Sequence, residues 1–546
     1  MPGISFAHQS GTGYTLRILA RGAILWLPSL ILFVTPMQAQ HAGRSYQQTV
    51  LTIQQHIEAN DLQGARTLIT QAAKEFPADG GLENLLGVIE IQERHTERAK
   101  QEFSLAIQHS PKLVSAYLNL GRVYMETASD DSNERAEALH VYQKTLQIEP
   151  DNPEANYQSA TLLMWSRSYQ LSLDHLARLS AEAREGVGVK SLICADEAGL
   201  GHKENADRVA TALAAGHDLT EQDAMIMLPA LRAAHRADLV ETIFAAAGNQ
   251  HPLSASGLRI LGLAQEAQGK LGPARDTLER AFAADGSAVA PLIDLARIAN
   301  AQKDYRGALG YLAHAREMEP KDPSLPYEFG VICARMNLLE EARKAIGEAV
   351  KLAPDNPDYN LGMGMVASFE HDPTEGLPYL QKYHSLRPED AEGILALGTT
   401  YFRAKDYDSA SPWLKQAATK SQSAASAYYY LARIAREKGE LDEALQDLSE
   451  SAKLKPDQPQ VLAETGQIYV QMKQYIEAEK LLTRAIALDA DNYAANFGLL
   501  QLYVRTRDAR QTDQSKRFEA IKSKNEQESR EMMRVIEIDP KGSAAQ

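Results

Sequence analysis

Small and apolar side chains recur along this chain at a fixed interval of 34 residues. The run Gly466, Tyr469, Ala478, Leu482 and Ala485 reappears one step earlier as Ala432, Ala435, Ala444, Leu448 and Ser451, with Pro456 after it. Further steps back give Gly398, Tyr401, Ala410, Leu414 and Ala417, then Gly364, Ala367, Gly376, Leu380 and Tyr383 before Pro388. Gly330, Cys333, Ala342, Ile346 and Ala349 before Pro354 continue the series, which reaches Ala296 and Ala308, then Gly262 and Ala274, without drift. A period of this length marks a repeat array, in which each unit is a small helical element that buries its apolar face against the next. Small residues let two helices cross closely, and the large apolar residue fills the gap between them. Proline, with no amide hydrogen to donate, ends the second helix. Asp355-Asn356-Pro357 and Asp491-Asn492 fit turns and helix N-caps.

The N-terminal half keeps the same interval. Ala65, Ile69, Ala72 and Pro77 mark a unit that starts near Tyr46, and Gly87, Ala99, Phe103, Ala106 and Pro111 mark the next. A third, with Tyr117, Gly121, Tyr124, Ala138, Tyr142 and Pro150, is 39 residues long. Its extra residues fall in the polar tract Ala128 to Arg135 between its helices, where insertion costs little. From Pro153 to Asn492 ten units run in unbroken register, which predicts thirteen full units and the first helix of a fourteenth over Tyr493 to Arg505. Units 187–220 and 221–254 keep length and helical periodicity but lose most recurring residues, retaining Ala206 and Pro252. They read either as drift under relaxed packing or as a specialised face or bend. The expected organisation is N-terminal units over 46–152, units over 153–254 with the last two eroded, and a regular array over 255–492. Residues 493–546 supply a half unit, a polar capping helix within Asp508 to Pro540 and a tail.

These columns resemble the tetratricopeptide repeat, whose pattern places Gly or Ala at position 8, Tyr at 11, Ala at 20, an apolar residue at 24, Ala at 27 and Pro at 32. The resemblance implies an all-α, right-handed superhelical solenoid of helix-turn-helix units. It also implies a role in holding other proteins.

The first 39 residues stand apart from the repeats. Arg17 and Arg21 precede the apolar run Ala23 to Val34, broken only by Pro28 and Ser29, and the stretch ends at Ala39. A basic flank, a short apolar core and a small terminal residue make a secretory signal, with cleavage expected after Ala39. The run is short for a bilayer span and contains proline, and an uncleaved N-terminal anchor is the alternative. No second apolar stretch is long enough to cross a membrane. The mature chain is therefore expected in the periplasm or outside the cell, as a repeat protein of the secreted bacterial type.

At 546 residues the chain exceeds what one compact core organises, in keeping with an array. Its net charge of −15 argues against nonspecific nucleic-acid binding, which needs clustered Lys and Arg. Its two cysteines, Cys194 and Cys333, exclude a disulfide framework and a cysteine metal site, and are expected as small buried residues. The chain lacks a Gly-x-Ser-x-Gly elbow, a His-Glu-x-x-His pair, a phosphate-binding Gly-x-x-x-x-Gly-Lys loop and a Cys-x-x-Cys pair. Its fourteen histidines have no metal-ligand spacing. Gly362-Met363-Gly364 belongs to a helix crossing, and His371-Asp372 to a solvated turn. Repeats use up nearly the whole mature chain, so no catalytic residue, metal or cofactor is expected, and the chain reads as a non-enzyme.

Function then rests on the surface. In tetratricopeptide proteins the first helix of each unit lines a groove, mainly through positions 2, 5, 9, 12 and 13. Carried over by column, position 13 gives Arg335, Arg403 and Arg505, interrupted by Glu437 and Gln471. Position 9 gives Arg297 and Arg433, position 12 gives Arg436, and position 5 gives Tyr327 and Tyr429. Arginine pairs carboxylates bidentately and tyrosine supplies amphipathic contact area. The expected partner is another protein, bound through an extended acidic peptide or a chain terminus, in an envelope complex. Pairing of these arginines with neighbouring acids inside the solenoid is the competing reading. No unit carries the Lys at position 5 and Asn at position 9 of the carboxylate clamp in chaperone-binding members. A glycan-associated protein, or a regulatory subunit working with a separate enzyme chain, is the alternative function.

Overall fold

The computed structural model describes residues 42–127, 132–369 and 372–534. The expected signal segment, His371, the start of the inserted tract and the tail from Val535 lie outside the described residues. Within them all regular structure is helical, and 29 α-helices follow one another, most of them packed in pairs as helix-turn-helix units within each of two arrays. Gly80–Gln92 with Thr96–His109 and Pro459–Gln471 with Tyr475–Leu488 are typical pairs. The chain divides into two packed arrays, one ending at Lys270 and one beginning at Leu271. The division falls between the two helices of the unit that starts at Ala255, not at the start of that unit.

The recurring residues sit where their size matters. Ala99, Phe103 and Ala106 have no exposed surface, and neither do Ala478, Leu482 and Ala485 in the corresponding columns. A Cβ on Gly87 would stand 2.5 Å from the Phe103 ring, so only glycine lets these two helices approach so closely. Asn156, Asn360 and Asn496 each donate to a carbonyl six residues back, tying a first helix to the turn before it. Cys194 and Cys333 are buried free thiols. Cys194 occupies the small-residue column of its unit, its Sγ 3.8 Å from the Ala206 carbonyl oxygen across the crossing.

The turn inside twelve of the units has a regularity invisible in the residue types. Asn60, Arg94, Arg167, Gly201, His235, Gly269, Lys303, Asn337, Lys405, Gly439, Lys473 and Arg507 all have positive φ, at the same position in their units. At Lys405 the next amide, Asp406 N, donates back to the Tyr401 carbonyl at 3.0 Å, and the Asp406 carboxylate accepts from Ser409 N at 3.1 Å. One helix is thus closed and the next capped within two residues. A Cβ in this left-handed region is strained, and nine of these twelve residues carry one. Lys405→Gly is therefore expected to raise stability by about 0.5–1 kcal/mol, read as a higher denaturant midpoint. An unchanged or lower midpoint would mean that the turn is unstrained.

Three units depart from the even pattern. Part of the inserted tract is helical rather than loop, because the second helix of the long unit, Ser132–Ile148, begins inside it. In the unit from Pro153 the second helix, Tyr169–Leu176, has eight residues. Ser180 then caps a four-residue turn of helix, Ala181–Arg184. In the unit from Pro357 the second helix opens with a 3-10 turn, Pro373–Gly376, capped by Asp372.

The eroded units 187–220 and 221–254 are well-formed helix pairs. They belong to one continuous core running from Ala160 to Ala264, in which Leu192, Met227, Leu231, Ile243 and Phe244 are fully buried. In unit 221–254 larger side chains, Leu228 and Val240, stand at the crossing where most other units carry Gly or Ala, while unit 187–220 keeps Cys194 and Ala206 there. At the far end, helix Gln511–Arg534 covers the last repeat helix, Tyr493–Thr506. Phe518 packs on Tyr493 and Phe497, Ile521 is buried, and Gln514 donates to Asn496 Oδ1 at 3.1 Å. The expected polar cap is therefore an amphipathic one.

Candidate protein-binding site

The eight residues expected on the first-helix face of the C-terminal array fall into two groups. Five are engaged apart from the centre of the site. Arg297 donates to Asp294 Oδ1 at 2.9 Å. Arg436 pairs with the nearly buried Glu464 at 2.6 Å and donates to Gln467 Oε1 at 3.1 Å. Arg335 donates to Asn300 Oδ1 at 3.3 Å, and Arg505 to the Val470 carbonyl at 3.1 Å. In both cases the partner is 35 residues earlier, so these position-13 arginines brace one first helix to the preceding one. Tyr327 stacks with Tyr359, ring centroids 4.7 Å apart.

The remaining three come together. Arg403, at the end of helix Ala391–Arg403, lays its guanidinium over the Phe369 ring at 3.4 Å. Arg433, on helix Ala424–Lys438, lies 4.8 Å above Phe402 and within 6.0 Å of the rings of Tyr429 and Tyr430. Phe402 and Tyr430 are themselves in edge contact at 5.3 Å. Among the described residues neither arginine is ion-paired with a carboxylate, and Arg433 Nε is buried with no hydrogen-bond partner. Burial draws the Arg403 guanidinium below its usual value, with neighbouring Arg433 acting in the same direction; attraction to the Tyr430 hydroxyl, toward which part of its N–H edge is turned, opposes both. A guanidinium resting on a ring keeps its N–H edge free for a ligand while its face is held by the cation–π contact. The site is thus an aromatic shelf of Phe369, Phe402, Tyr429 and Tyr430 under two cations. Phe369, Phe402 and Tyr430 were missed in the sequence. Phe369 and Phe402 occupy groove positions 13 and 12, so searching those columns for aromatic as well as charged residues would have found them.

On the same array, Tyr327 and Tyr359 lie among acids. Burial and the nearby carboxylates, Asp358 chief among them, push the Tyr327 hydroxyl up to about 12. Glu392, at the start of helix Ala391–Arg403, is exposed. Its carboxyl is raised by desolvation and by the like charges of Asp390 and Asp358. In the N-terminal array Glu90, Glu93 and His95 converge with metal-ligand geometry. Arg66 lies between the two carboxylates at 2.6 and 2.5 Å, so a guanidinium already supplies the compensating charge. Among the described residues no helix is long and apolar enough to cross a membrane.

Comparison with known proteins agrees with the packing. Tetratricopeptide-repeat models match residues 299–364, 369–459 and 459–492. The chain therefore carries tetratricopeptide repeats in an all-α stack, a class of fold that serves as a protein-interaction scaffold. A stretch of 163 residues, 29% of this chain, is 26% identical to the RNA polymerase-associated protein CTR9 of Caenorhabditis elegans. The match spans 14% of that relative's length. Among solved structures, the APC/C hetero-tetramer Cut9-Hcn1 is similar over 83% of this chain and 89% of that one, at 15% identity and a TM-score of 0.37. A tetratricopeptide repeat protein from Parabacteroides merdae is similar over 45% of this chain and 98% of its own, at 13% identity and a TM-score of 0.41.

Proposed function

We propose that this chain is a scaffold of the cell envelope that binds an extended segment of a partner protein on the first-helix face of its C-terminal array, with an acidic group of that segment seated on Arg403 and Arg433. The observation that carries this reading is the pair of arginines held on aromatic rings with no carboxylate partner among the described residues. Arg297 and Arg436, by contrast, have acids of their own. Two unpaired cations in a protein of net charge −15 have ample acids to pair with, so their being left open favours an external anion. The envelope location rests on the N-terminal pattern of basic flank, apolar core and Ala39.

The test is capture by crosslinking from an envelope fraction, with the parent chain and Arg403→Glu/Arg433→Glu compared side by side. Reversing both charges should cut recovery of the bound partner by about thirtyfold or more, while the helical circular dichroism stays intact. Equal recovery by the two proteins would remove the arginine shelf as the binding site. Mass spectrometry of the mature N-terminus checks export separately: a chain beginning at Gln40 is expected, and an intact Met1 would support the anchored alternative.

A further inference from the structure

The arginine shelf has an acidic counterpart on the same helix. Glu392 and Arg403 stand at opposite ends of Ala391–Arg403, eleven positions apart, which returns them to nearly the same face about 16 Å from each other along the axis. Around the Glu392 end are the partly exposed ring of Tyr327, backed by the buried ring of Tyr359, and the carboxylates of Glu328 and Asp358. Asp358 is held by Arg387 at 2.9 Å. Among the described residues Glu392 and Glu328 have no cation within ion-pair distance; Arg297, held by Asp294, attracts Glu328 only from beyond it. The two ends of one helix therefore present unpaired charges of opposite sign, each set against aromatic rings.

We propose that the segment bound at Arg403 and Arg433 is bipolar: a Lys or Arg side chain docks on the Tyr327–Tyr359 pair beside Glu328 and Glu392, and an Asp or Glu about five residues away docks on the arginine shelf. The proposal rests on the reading of the arginines given above and adds a second subsite to it. The spacing follows from the helix: about 16 Å is spanned by about five residues of extended chain. Charge complementarity selects the occupant. A wholly acidic segment long enough to cover the face would lay its other charges against Glu392 and Glu328, within the field of a strongly acidic chain. A bipolar segment pairs both ends and brings no net charge. The tyrosine pair favours the cation further, because a Lys or Arg group over an aromatic face gains a cation–π contact that a neutral side chain lacks.

The experiment uses a displayed library of random twelve-residue peptides selected on the immobilised full chain, followed by fluorescence anisotropy on the selected peptides. The expected result is enrichment of opposite-charge pairs separated by four to six positions. Replacing the basic residue of a selected peptide by Glu should weaken binding at least tenfold, and E392K should restore it. R403E/R433E should abolish binding of the parent peptides. Selected peptides that are acidic, depend on Arg403 and Arg433, and carry no basic residue at that spacing would overturn the bipolar proposal and leave the arginine site standing. Peptides indifferent to Arg403 and Arg433, or no selectable peptide at all, would overturn both.

Discussion

Asp196→Asn should stabilise the N-terminal array at pH 7 and leave its stability nearly unchanged below pH 4. Asp196 lies on helix Val187–Gly199 with no exposed surface, and neither carboxylate oxygen has a hydrogen-bond partner. The nearby hydroxyl of Ser172 donates instead to the Ala160 carbonyl at 2.9 Å. Burial raises the carboxyl from its ordinary 3.8 to about 8, with Glu197 adding to the shift. The folded chain therefore keeps this proton over a range in which the unfolded chain has lost it. With fewer protons bound in the unfolded state, stability falls as pH rises from about 4 to about 8 and is flat on either side. At pH 7 the loss reaches up to about 4 kcal/mol. The protonated carboxyl is as short of partners as a buried amide would be, so that cost cancels between the two proteins and the gain from Asn at pH 7 approaches the whole of that loss, about 3–4 kcal/mol. Thermal midpoints of the two proteins from pH 3.5 to 8.5 give the check: the curves should coincide at the acid end and separate as pH rises. Parallel curves would show that Asp196 is ionised in the folded chain, with a cation or water serving it.

The second large effect is expected at Phe103. Its ring has no exposed surface and fills the crossing with Gly87. Phe103→Ala removes the contact surface of both helices of its unit at once, and truncation of a buried phenylalanine costs about 3–5 kcal/mol. Repeat arrays hold together by nearest-neighbour interfaces, so the damage should be local. Hydrogen exchange should show protection falling in residues 80–148 while the C-terminal array keeps its own. A uniform loss over the whole chain would mean that the two arrays unfold as one cooperative body.

The repeat frame was legible in the sequence because the crossings tolerate few residue types. Ala478, Leu482 and Ala485 could be placed on the ruler without coordinates, and each is fully buried. The turns were less legible. Lys405 and Lys473 have positive φ, yet lysine carries no sign of it, because hydrogen bonds of the closing helix impose the conformation on whatever residue is there. Asp196 was invisible for a related reason: a polar residue on a helix reads as solvent-facing until the neighbouring helices are known to enclose it. The groove columns contain both arginines of the shelf and Tyr429, but not Tyr430, which stands at position 6 of its unit. They could not separate these from Arg297 and Arg436, whose acids, Asp294 and Glu464, lie at position 6, outside the columns searched. Nor could the columns foresee that Arg335 and Arg505 would be taken up in bracing successive helices.

The continuous core between Ala160 and Ala264 bears on how such a chain changes length over time. Where every contact is between neighbours of one standard shape, a gene can gain or lose a 34-residue segment and the joints on both sides still fit. The regular units from Ala290 to Leu488 have that modular character. The eroded units do not: their side chains are cut to fit particular neighbours, so excising or copying one would leave mismatched surfaces at both joints. Such a stretch is inherited whole, and length variation among descendants of this chain belongs in the regular array, on the side that carries the arginine shelf.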